Sequence, residues 1–162
     1  MTSSIEVPLT QGYIALIDAD RAELVSKYAW YVLTGYHYAA TRCPDSGKII
    51  YMHRLLTNAP SGYHVDHING DVRDNRSVNL RVCTHSNNLC NQPIRRNNTS
   101  GYKGVSFRKD TKKWQAKIRV ACKQHHLGYF LTKEDAALVY NEAAIRLHGE
   151  FAVLNEITNA GT

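Results

Sequence analysis

The chain has 162 residues, of which 43% are hydrophobic and 21% charged, and a formal net charge of +6. This is the composition of a globular protein, and no stretch of roughly 18 apolar residues is present that could cross a bilayer. The N-terminus lacks a basic start followed by an apolar run, so we expect no secretory signal, no membrane partner and a cytoplasmic protein. The length suits two small domains, each with a modest core.

Positive charge is concentrated in one part of the chain. Residues 95–126 carry ten Lys or Arg against one acid, a net charge of +9, which leaves −3 for the remainder. Such asymmetry is typical of a polyanion-binding half, because phosphate neutralisation and counterion release supply most non-specific affinity for nucleic acid. A solvated basic surface explains the charge equally well at this point.

The cysteines favour neither a disulfide framework nor a zinc knuckle. Cys43, Cys83, Cys90 and Cys122 are scattered and form no C-x-x-C pair, so we expect reduced, buried thiols. Cys83 and Cys90 together with His85 come nearest to a metal cluster, but no fourth ligand stands at a recognisable spacing. The sequence therefore predicts no zinc.

The first fifty residues alternate apolar and polar side chains and predict a β-rich region. A helical turn is predicted at 22–27. The Pro-Asp-Ser-Gly sequence at 44–47 supplies turn geometry between two extended runs, which predicts a hairpin. The predicted strands are 13–17, 28–33, 36–42 and 48–52.

The composition changes twice further along the chain. Residues 63–92 are rich in Asp, Asn, His and Arg, which cannot build a core alone and are expected in loops around a site. Residues 93–100 predict a linker, because Pro93 stops a helix and the Asn, Ser and Gly residues that follow favour irregular backbone.

A compact stretch of three strands and one helix is predicted after the linker. The strands are expected at 102–108, 114–120 and 126–130, and the helix from about 133 to 148. Thr132 is its predicted N-cap and Gly149 its end. Small and apolar residues recur on one helix face at three- and four-residue steps, which suits close packing on a sheet. They are Ala136, Ala137, Tyr140, Ala143, Ala144 and Leu147.

The central run resembles HNH endonucleases of the homing type. The resemblance is carried, in family order and spacing, by Met52-His-Arg-Leu, Val65-Asp-His-Ile-Asn-Gly, Asp74-Asn-Arg and Asn79-Leu-Arg. It implies a nuclease domain over 1–92 with a ββα-metal finger at about 63–92. In such a finger Asp66 and His67 end the first strand, Asn79 lies on the second, and Asn88 lies on a helix that begins near Thr84.

The residue types suit phosphodiester hydrolysis. A neutral imidazole with a pKa of about 6.5 can take a proton from water, so His67 is the predicted general base. Asp66 and Asn88 are predicted to hold one Mg²⁺ or Mn²⁺ through hard oxygen ligands, with Asn87 as the alternative to Asn88. By resemblance, Asn79 orients the His67 ring and tethers the loop. Many HNH enzymes carry His at the position of Asn88.

Four further residues of this run admit a structural interpretation. Arg54, Arg76 and Arg81 contact phosphate near the cut or form structural salt bridges, and the sequence favours neither. We expect Asn75 to hydrogen-bond within its loop.

The C-terminal stretch resembles the AP2 DNA-binding domain, known from plant transcription factors and from phage and bacterial homing nucleases. The segments concerned are Ser100-Gly-Tyr-Lys-Gly-Val-Ser-Phe-Arg108, Lys113-Trp-Gln-Ala-Lys-Ile-Arg119, His126-Leu-Gly-Tyr-Phe130 and residues 134–144. The resemblance implies an AP2-like domain over 101–157 whose three-stranded sheet packs on one helix and enters the major groove. The predicted DNA contacts are Arg95, Arg96, Lys103, Ser106, Arg108, Lys117, Arg119 and His126.

Taken together, these features predict an α+β chain and a metal-dependent endonuclease that acts on double-stranded DNA as a homing-type nickase or double-strand cutter. One finger has one scission centre, so a monomer is expected, with a homodimer as the alternative. Two other functions stay open. An AP2-type DNA-binding regulator with a silent HNH finger has no use for both Asp66 and His67, and an RNA-binding protein calls for exposed aromatic residues on the basic sheet.

Overall fold

Strands and short helices alternate through residues 3–92, 94, 96–121 and 123–157, the part of the chain that the computed structural model describes. The strands are β1 (Ser4–Pro8), β2 (Ile14–Asp18), β3 (Tyr31–Val32), β4 (Ala39–Arg42), β5 (Ile49–Tyr51), β6 (His64–His67), β7 (Leu80–Cys83), β8 (Val105–Arg108), β9 (Lys113–Val120) and β10 (Lys123–Phe130). The α-helices are α1 (Ala22–Ser26), α2 (Met52–Thr57), α3 (His85–Cys90) and α4 (Lys133–His148). The chain is therefore an α+β protein, as predicted.

The chain divides into two compact units, one up to His85 and one from Ser86 onward. This boundary falls before the predicted linker at 93–100, in which Pro93 and Arg95 lie outside the described residues. Most of α3 therefore packs with the second unit, whereas the sequence analysis assigned it to the nuclease domain. Among the described residues, no helix has the length and hydropathy needed to cross a membrane.

The first unit contains three small antiparallel sheets. They are the pair β1–β2, the three strands in the order β3-β4-β5, and the pair β6–β7. One apolar cluster joins the first two sheets to the short helices α1 and α2, with Ile17 and Met52 fully buried in it. The polar loop after β6 is fixed to β2, because the Leu16 N–H donates to the Arg73 carbonyl and the Asn75 N–H to the Leu16 carbonyl.

The N-terminal strands are shorter than predicted. The strand expected at 28–33 is reduced to β3, because the indole N–H of Trp30 donates to the Val25 carbonyl at 2.8 Å and holds the preceding residues against α1. The strand expected at 48–52 ends at Tyr51, where α2 begins.

The second unit has an antiparallel sheet in the order β10-β9-β8, and α4 packs against its three strands. The helix begins and ends where the sequence predicts, since Thr132 Oγ1 accepts from the Asp135 N–H at 3.1 Å and Gly149 follows its last residue. Its small-residue face is buried except for Leu147, which is 41% exposed. The buried members are Ala136, Ala137, Tyr140, Ala143 and Ala144.

Gly104, the residue before β8, packs closely against the Tyr140 ring. Its φ is +77°, and a methyl group at this position would collide with the Tyr140 ring and lie 2.6 Å from the Lys117 carbonyl oxygen. The Lys117 N–H donates to the Gly104 carbonyl at 2.8 Å. The missing side chain therefore lets the chain lie on the ring and stay bonded to β9.

The thiols are less uniformly buried than predicted. Cys83 is buried, but Cys43 and Cys90 are partly exposed. Cys43 lies in the turn between β4 and β5 and Cys90 at the end of α3, where neither joins an apolar cluster. Cys122 lies outside the described residues.

Candidate active site

The two predicted catalytic neighbours lie at the end of β6. Asp66 pairs with Arg81 on β7 and His67 with Leu80. The strand ends at His67, where the Gly70 N–H donates to the His67 carbonyl at 2.9 Å and Gly70 adopts a φ of +77°. Asp66 and His67 are only 6% and 5% exposed, so both polar side chains are held inside the first unit.

Burial and Asn75 define the state of the His67 ring. Burial lowers the pKa of His67, and the contact with Asn75 and the carboxylates of Asp66, Asp71 and Asp74 raise it by less. Asn75 Nδ2 donates to the Arg73 carbonyl at 3.0 Å, which directs Asn75 Oδ1 to His67 Nε2 at 3.4 Å. Because an amide oxygen only accepts, this long contact favours the neutral ring with its proton on Nε2 and its lone pair on Nδ1.

Two aromatic neighbours of His67 were not predicted from the sequence. The His53 ring lies edge-on to the His67 ring with centroids 5.2 Å apart, and the Tyr38 ring lies 6.0 Å from it. His53 also stacks on Tyr51 at 5.5 Å. Burial lowers the pKa of His53 to about 3, with smaller contributions from His67 and Arg54. The neutral, buried His53 ring therefore lines the site beside His67. Its only signal in the sequence was its position in the Met52-His-Arg-Leu motif.

The burial of His53 predicts a specific pH dependence of stability. The folded pKa is about 3 and the usual value 6.5, so above pH 6.5 the ring is neutral in both states. As the pH falls from 6.5 towards 3, the unfolded chain takes up the proton first, and this group lowers the free energy of unfolding by about 1.4 kcal/mol per pH unit.

Chemical denaturation of the wild type and of His53→Gln between pH 7 and 4 measures this slope. We expect the variant to lose stability less steeply as the pH falls, because glutamine does not titrate. His125→Gln, at an exposed histidine of β10, is the matched control and should keep the wild-type slope. Parallel curves for the wild type and His53→Gln would contradict the prediction.

Arg81 holds the Asp66 carboxylate in a buried ion pair. Its Nε and Nη2 lie 2.8 and 2.7 Å from Asp66 Oδ2, and the two side chains are 13% and 7% exposed. Both side chains come from paired positions of β6 and β7, so the strand register itself brings them together. Arg81 is thus in a structural salt bridge and positions the carboxylate next to His67.

Asn79 fixes the loop between β6 and β7 through hydrogen bonds to the backbone. Its Oδ1 accepts from the Asn69 N–H at 2.9 Å, and its Nδ2 donates to the Asp74 carbonyl at 2.7 Å. It lies in a 3-10 turn, Ser77–Asn79, directly before β7 and not on that strand. The Asn79 amide therefore tethers the loop, and the Asn75 amide is in contact with the His67 ring.

The other two arginines of this region make structural bonds as well. Arg76 contacts both oxygens of the buried Asp74 at 2.7 Å, and this contact lowers the pKa of that carboxyl. The Arg54 guanidinium donates to three carbonyls of the turn before β6. They belong to Ala59, Pro60 and Tyr63. These bonds fix the backbone on both sides of the β6 strand.

The predicted ligands Asp66 and Asn88 lie in different units. Asn88 and its alternative Asn87 are on α3, in the unit that begins at Ser86. Among the described residues, no group of three or more His, Cys, Asp or Glu is placed to hold a metal ion.

Five of the predicted DNA contacts lie on one face of the sheet of the second unit, namely Ser106, Arg108, Lys117, Arg119 and His126. Strand pairing places Lys117 beside His126 and Ser106 beside Gln115, with Ala116 and Ile118 buried on the opposite face against α4. Arg108 is exposed but paired with Asp110 at 2.9 Å. Arg119 and Arg96 are exposed, and Arg95 lies outside the described residues.

Lys103 differs from its predicted role as a DNA contact. Its Nζ donates to the Cys90 and Gln92 carbonyls, both at 2.6 Å, and burial lowers the pKa of its ammonium. The bond to Cys90 satisfies a carbonyl at the C-terminal end of α3, where a positive charge is favourable. Lys103 is therefore a structural cation, and the sequence pattern alone did not show that residues 90–92 approach it.

Comparison with known proteins decides the family. A family model of HNH endonucleases matches residues 58–90. A protein of Acanthamoeba polyphaga mimivirus described as an HNH endonuclease is 32% identical over 154 residues, which cover 91% of this chain and 77% of the relative. The chain belongs to the HNH endonuclease family. It is accordingly a nuclease.

Two further relatives of the nuclease cover different parts of it. Protein 3.8 of Escherichia phage T7 is 34% identical over 93 residues, 57% of the nuclease and 76% of that protein. An ethylene-responsive transcription factor of Arabidopsis thaliana is 45% identical over 56 residues, 33% of the nuclease and 30% of the plant protein. The second match gives partial support to the AP2-like interpretation.

Proposed function

We propose that the nuclease hydrolyses phosphodiester bonds of double-stranded DNA with His67 as general base and a divalent metal ion as cofactor. The observation that carries the proposal is the buried His67 ring, directly after Asp66 at the end of β6. An imidazole whose pKa is lowered by burial stays neutral at physiological pH and can accept a proton. The neutral ring would take the proton of the attacking water, and the Asn75 side chain contacts the same ring at Nε2.

The residues of the site fit a hard cation such as Mg²⁺ or Mn²⁺. Divalent ions are the general cofactors of HNH nucleases. Asp66 offers a carboxylate that Arg81 holds in one orientation, and carboxylate and amide oxygens are the ligands that Mg²⁺ prefers. We propose that Asp66 holds one such ion, which would supply positive charge to the scissile phosphate.

We propose that the sheet of the second unit anchors the nuclease on DNA. One face carries Lys117, Arg119 and His126, and the segment 95–126 has a net charge of +9. Phosphate contacts from these cations position a protein without reading sequence, which leaves fewer side chains for base recognition. The local similarity to a plant transcription factor supports the same role.

We further propose that the nuclease is of the homing type and acts as a monomer. One His67 site has one scission centre, so a single copy nicks one strand. A double-strand break then requires two copies or two successive cuts.

Relaxation of supercoiled plasmid by the full chain tests the proposal. We expect nicked circles with Mg²⁺ or Mn²⁺, and none with an excess of EDTA. Restoring Mg²⁺ after EDTA should restore cleavage, because the ion is a removable cofactor. Equal cleavage in EDTA would contradict the metal dependence, and linear product before any nicked circle would contradict the nicking monomer.

A further inference from the structure

Gln115 is a buried polar residue on the sheet face that we propose for DNA. It lies in the middle of β9 between Ser106 of β8 and Tyr129 of β10, and it is only 6% exposed. Its Nε2 lies 3.0 Å from His126 Nδ1 and 3.4 Å from the Tyr129 hydroxyl. Its Oε1 is buried and has no hydrogen-bond partner among the described residues. Because nearly all buried polar atoms are hydrogen-bonded, this oxygen calls for a physical explanation.

The two possible orientations of the Gln115 amide differ in which buried group they leave unsatisfied. With Nε2 towards His126 and Tyr129, both N–H groups have an acceptor and one carbonyl oxygen is left. The flipped amide would bury an NH₂ group with two unsatisfied donors, which costs more. The observed orientation is therefore the favourable one. Gln115 donates to His126 Nδ1, which fixes the neutral ring with its proton on Nε2.

The Tyr129 ring also restrains the orientation of the His126 ring. It lies against the Tyr129 ring with centroids 4.6 Å apart, and Tyr129 is 44% exposed. His126 itself is exposed and stands beside Lys117 on the neighbouring strand. A ring locked by an amide and a phenol presents one N–H donor in one orientation, at low entropic cost on binding.

We infer that Gln115 is a specificity-determining positioning residue, which fixes His126 as an Nε2–H donor for guanine in the major groove. The inference rests on the proposed function, in which this sheet face contacts DNA. Guanine offers two adjacent acceptors in that groove, N7 and O6, whereas adenine places an amino donor next to its N7. Adenine and thymine each offer one acceptor there, so a fixed donor that reaches both N7 and O6 is best matched by guanine.

Binding of the full-length protein in EDTA tests this inference without cleavage. A preferred duplex is first selected from a randomised pool, and each guanine is then replaced with 7-deazaguanine, which lacks the N7 acceptor. We expect one replacement to weaken wild-type binding about 3- to 10-fold, the loss of one hydrogen bond. Gln115→Met keeps the side-chain volume but removes the donor, and His126→Ala removes the ring. Both variants should lose this discrimination at the same guanine.

Lys117→Gln is the matched control on the same face. It should weaken binding to every duplex to a similar degree and keep the discrimination at that guanine. If Gln115→Met discriminates as the wild type does, or if no guanine responds, the inference is wrong while the DNA anchor stands. If the protein binds no duplex at all, the anchor and the inference both fail.

The tautomer of His126 gives a second measurement that needs no variant at position 115. Long-range ¹H–¹⁵N spectra of the wild type distinguish a protonated from an unprotonated ring nitrogen. We expect His126 to carry its proton on Nε2 at neutral pH, with His126→Ala used to assign the signal. A proton on Nδ1 would overturn the inference even if the variants fail to fold.

Discussion

Replacing His67 with alanine is expected to lower the rate of DNA cleavage by about 10²- to 10⁴-fold, the usual contribution of a positioned general base. The change removes the proton acceptor next to Asp66 but leaves the loop fixed by Asn79 and its bonds to Asn69 and Asp74. Binding should keep its affinity and its salt dependence, because the basic sheet face is unchanged. Single-turnover cleavage and binding in EDTA measure the two effects separately.

His64→Ala is the control for the His67 experiment. His64 lies three residues away on the same strand, partly exposed and against the His85 ring at 5.0 Å. We expect its cleavage rate to stay within a few-fold of the wild type. Cleavage by His67→Ala at a similar rate would show that His67 is not the base.

The second large effect is expected for Asp66→Asn. The substitution keeps the size of the side chain but removes the only negative charge proposed to hold the metal ion. Loss of residues that merely support metal ligands costs about 10- to 100-fold in activity or affinity, and loss of a ligand should cost at least as much. We expect slower cleavage at every Mg²⁺ concentration and a higher Mg²⁺ concentration at half-maximal rate.

The ion pair with Arg81 requires a second variant in this experiment. Removing the Asp66 charge breaks the ion pair with the Arg81 guanidinium, which is only 13% exposed, and this is destabilising. The double variant Asp66→Asn, Arg81→Gln removes both charges and should recover thermal stability but not the metal response. Asp71→Asn, at a half-exposed carboxylate of the same loop, is the matched control. A wild-type Mg²⁺ dependence in the double variant would contradict the ligand role of Asp66.

Elements stabilised by neighbours in sequence were predictable. The helix α4 is specified by its Thr132 cap and its small-residue face, and both signals lie within its own residues. The sheet of the second unit shows the same property, because alternation along β9 determines which side chains meet α4. The pair β3–β4 was predicted less well, since a contact between Trp30 and Val25 shortens its first strand.

The surroundings of His67 were predictable only in part. Asp66 and His67 stand together in the sequence and were found from their resemblance to the family. His53 and Tyr38 reach the same ring from α2 and the start of β4, and their approach depends on how the first unit folds. Asn75 and Asn79 lie in one loop with the same side chain, so composition could not assign which of them contacts the ring.

The crossing of Gly104 over Tyr140 limits how this nuclease can diversify. Alanine at position 104 would meet the tyrosine ring, and a smaller residue at position 140 would not free the position, because the Lys117 carbonyl oxygen stands in the way. Side chains on the exposed face, such as Ser106 and Arg119, have no such restriction. Substitutions on that exposed face can therefore accumulate without disturbing the sheet, whereas position 104, directly before β8, accepts only glycine.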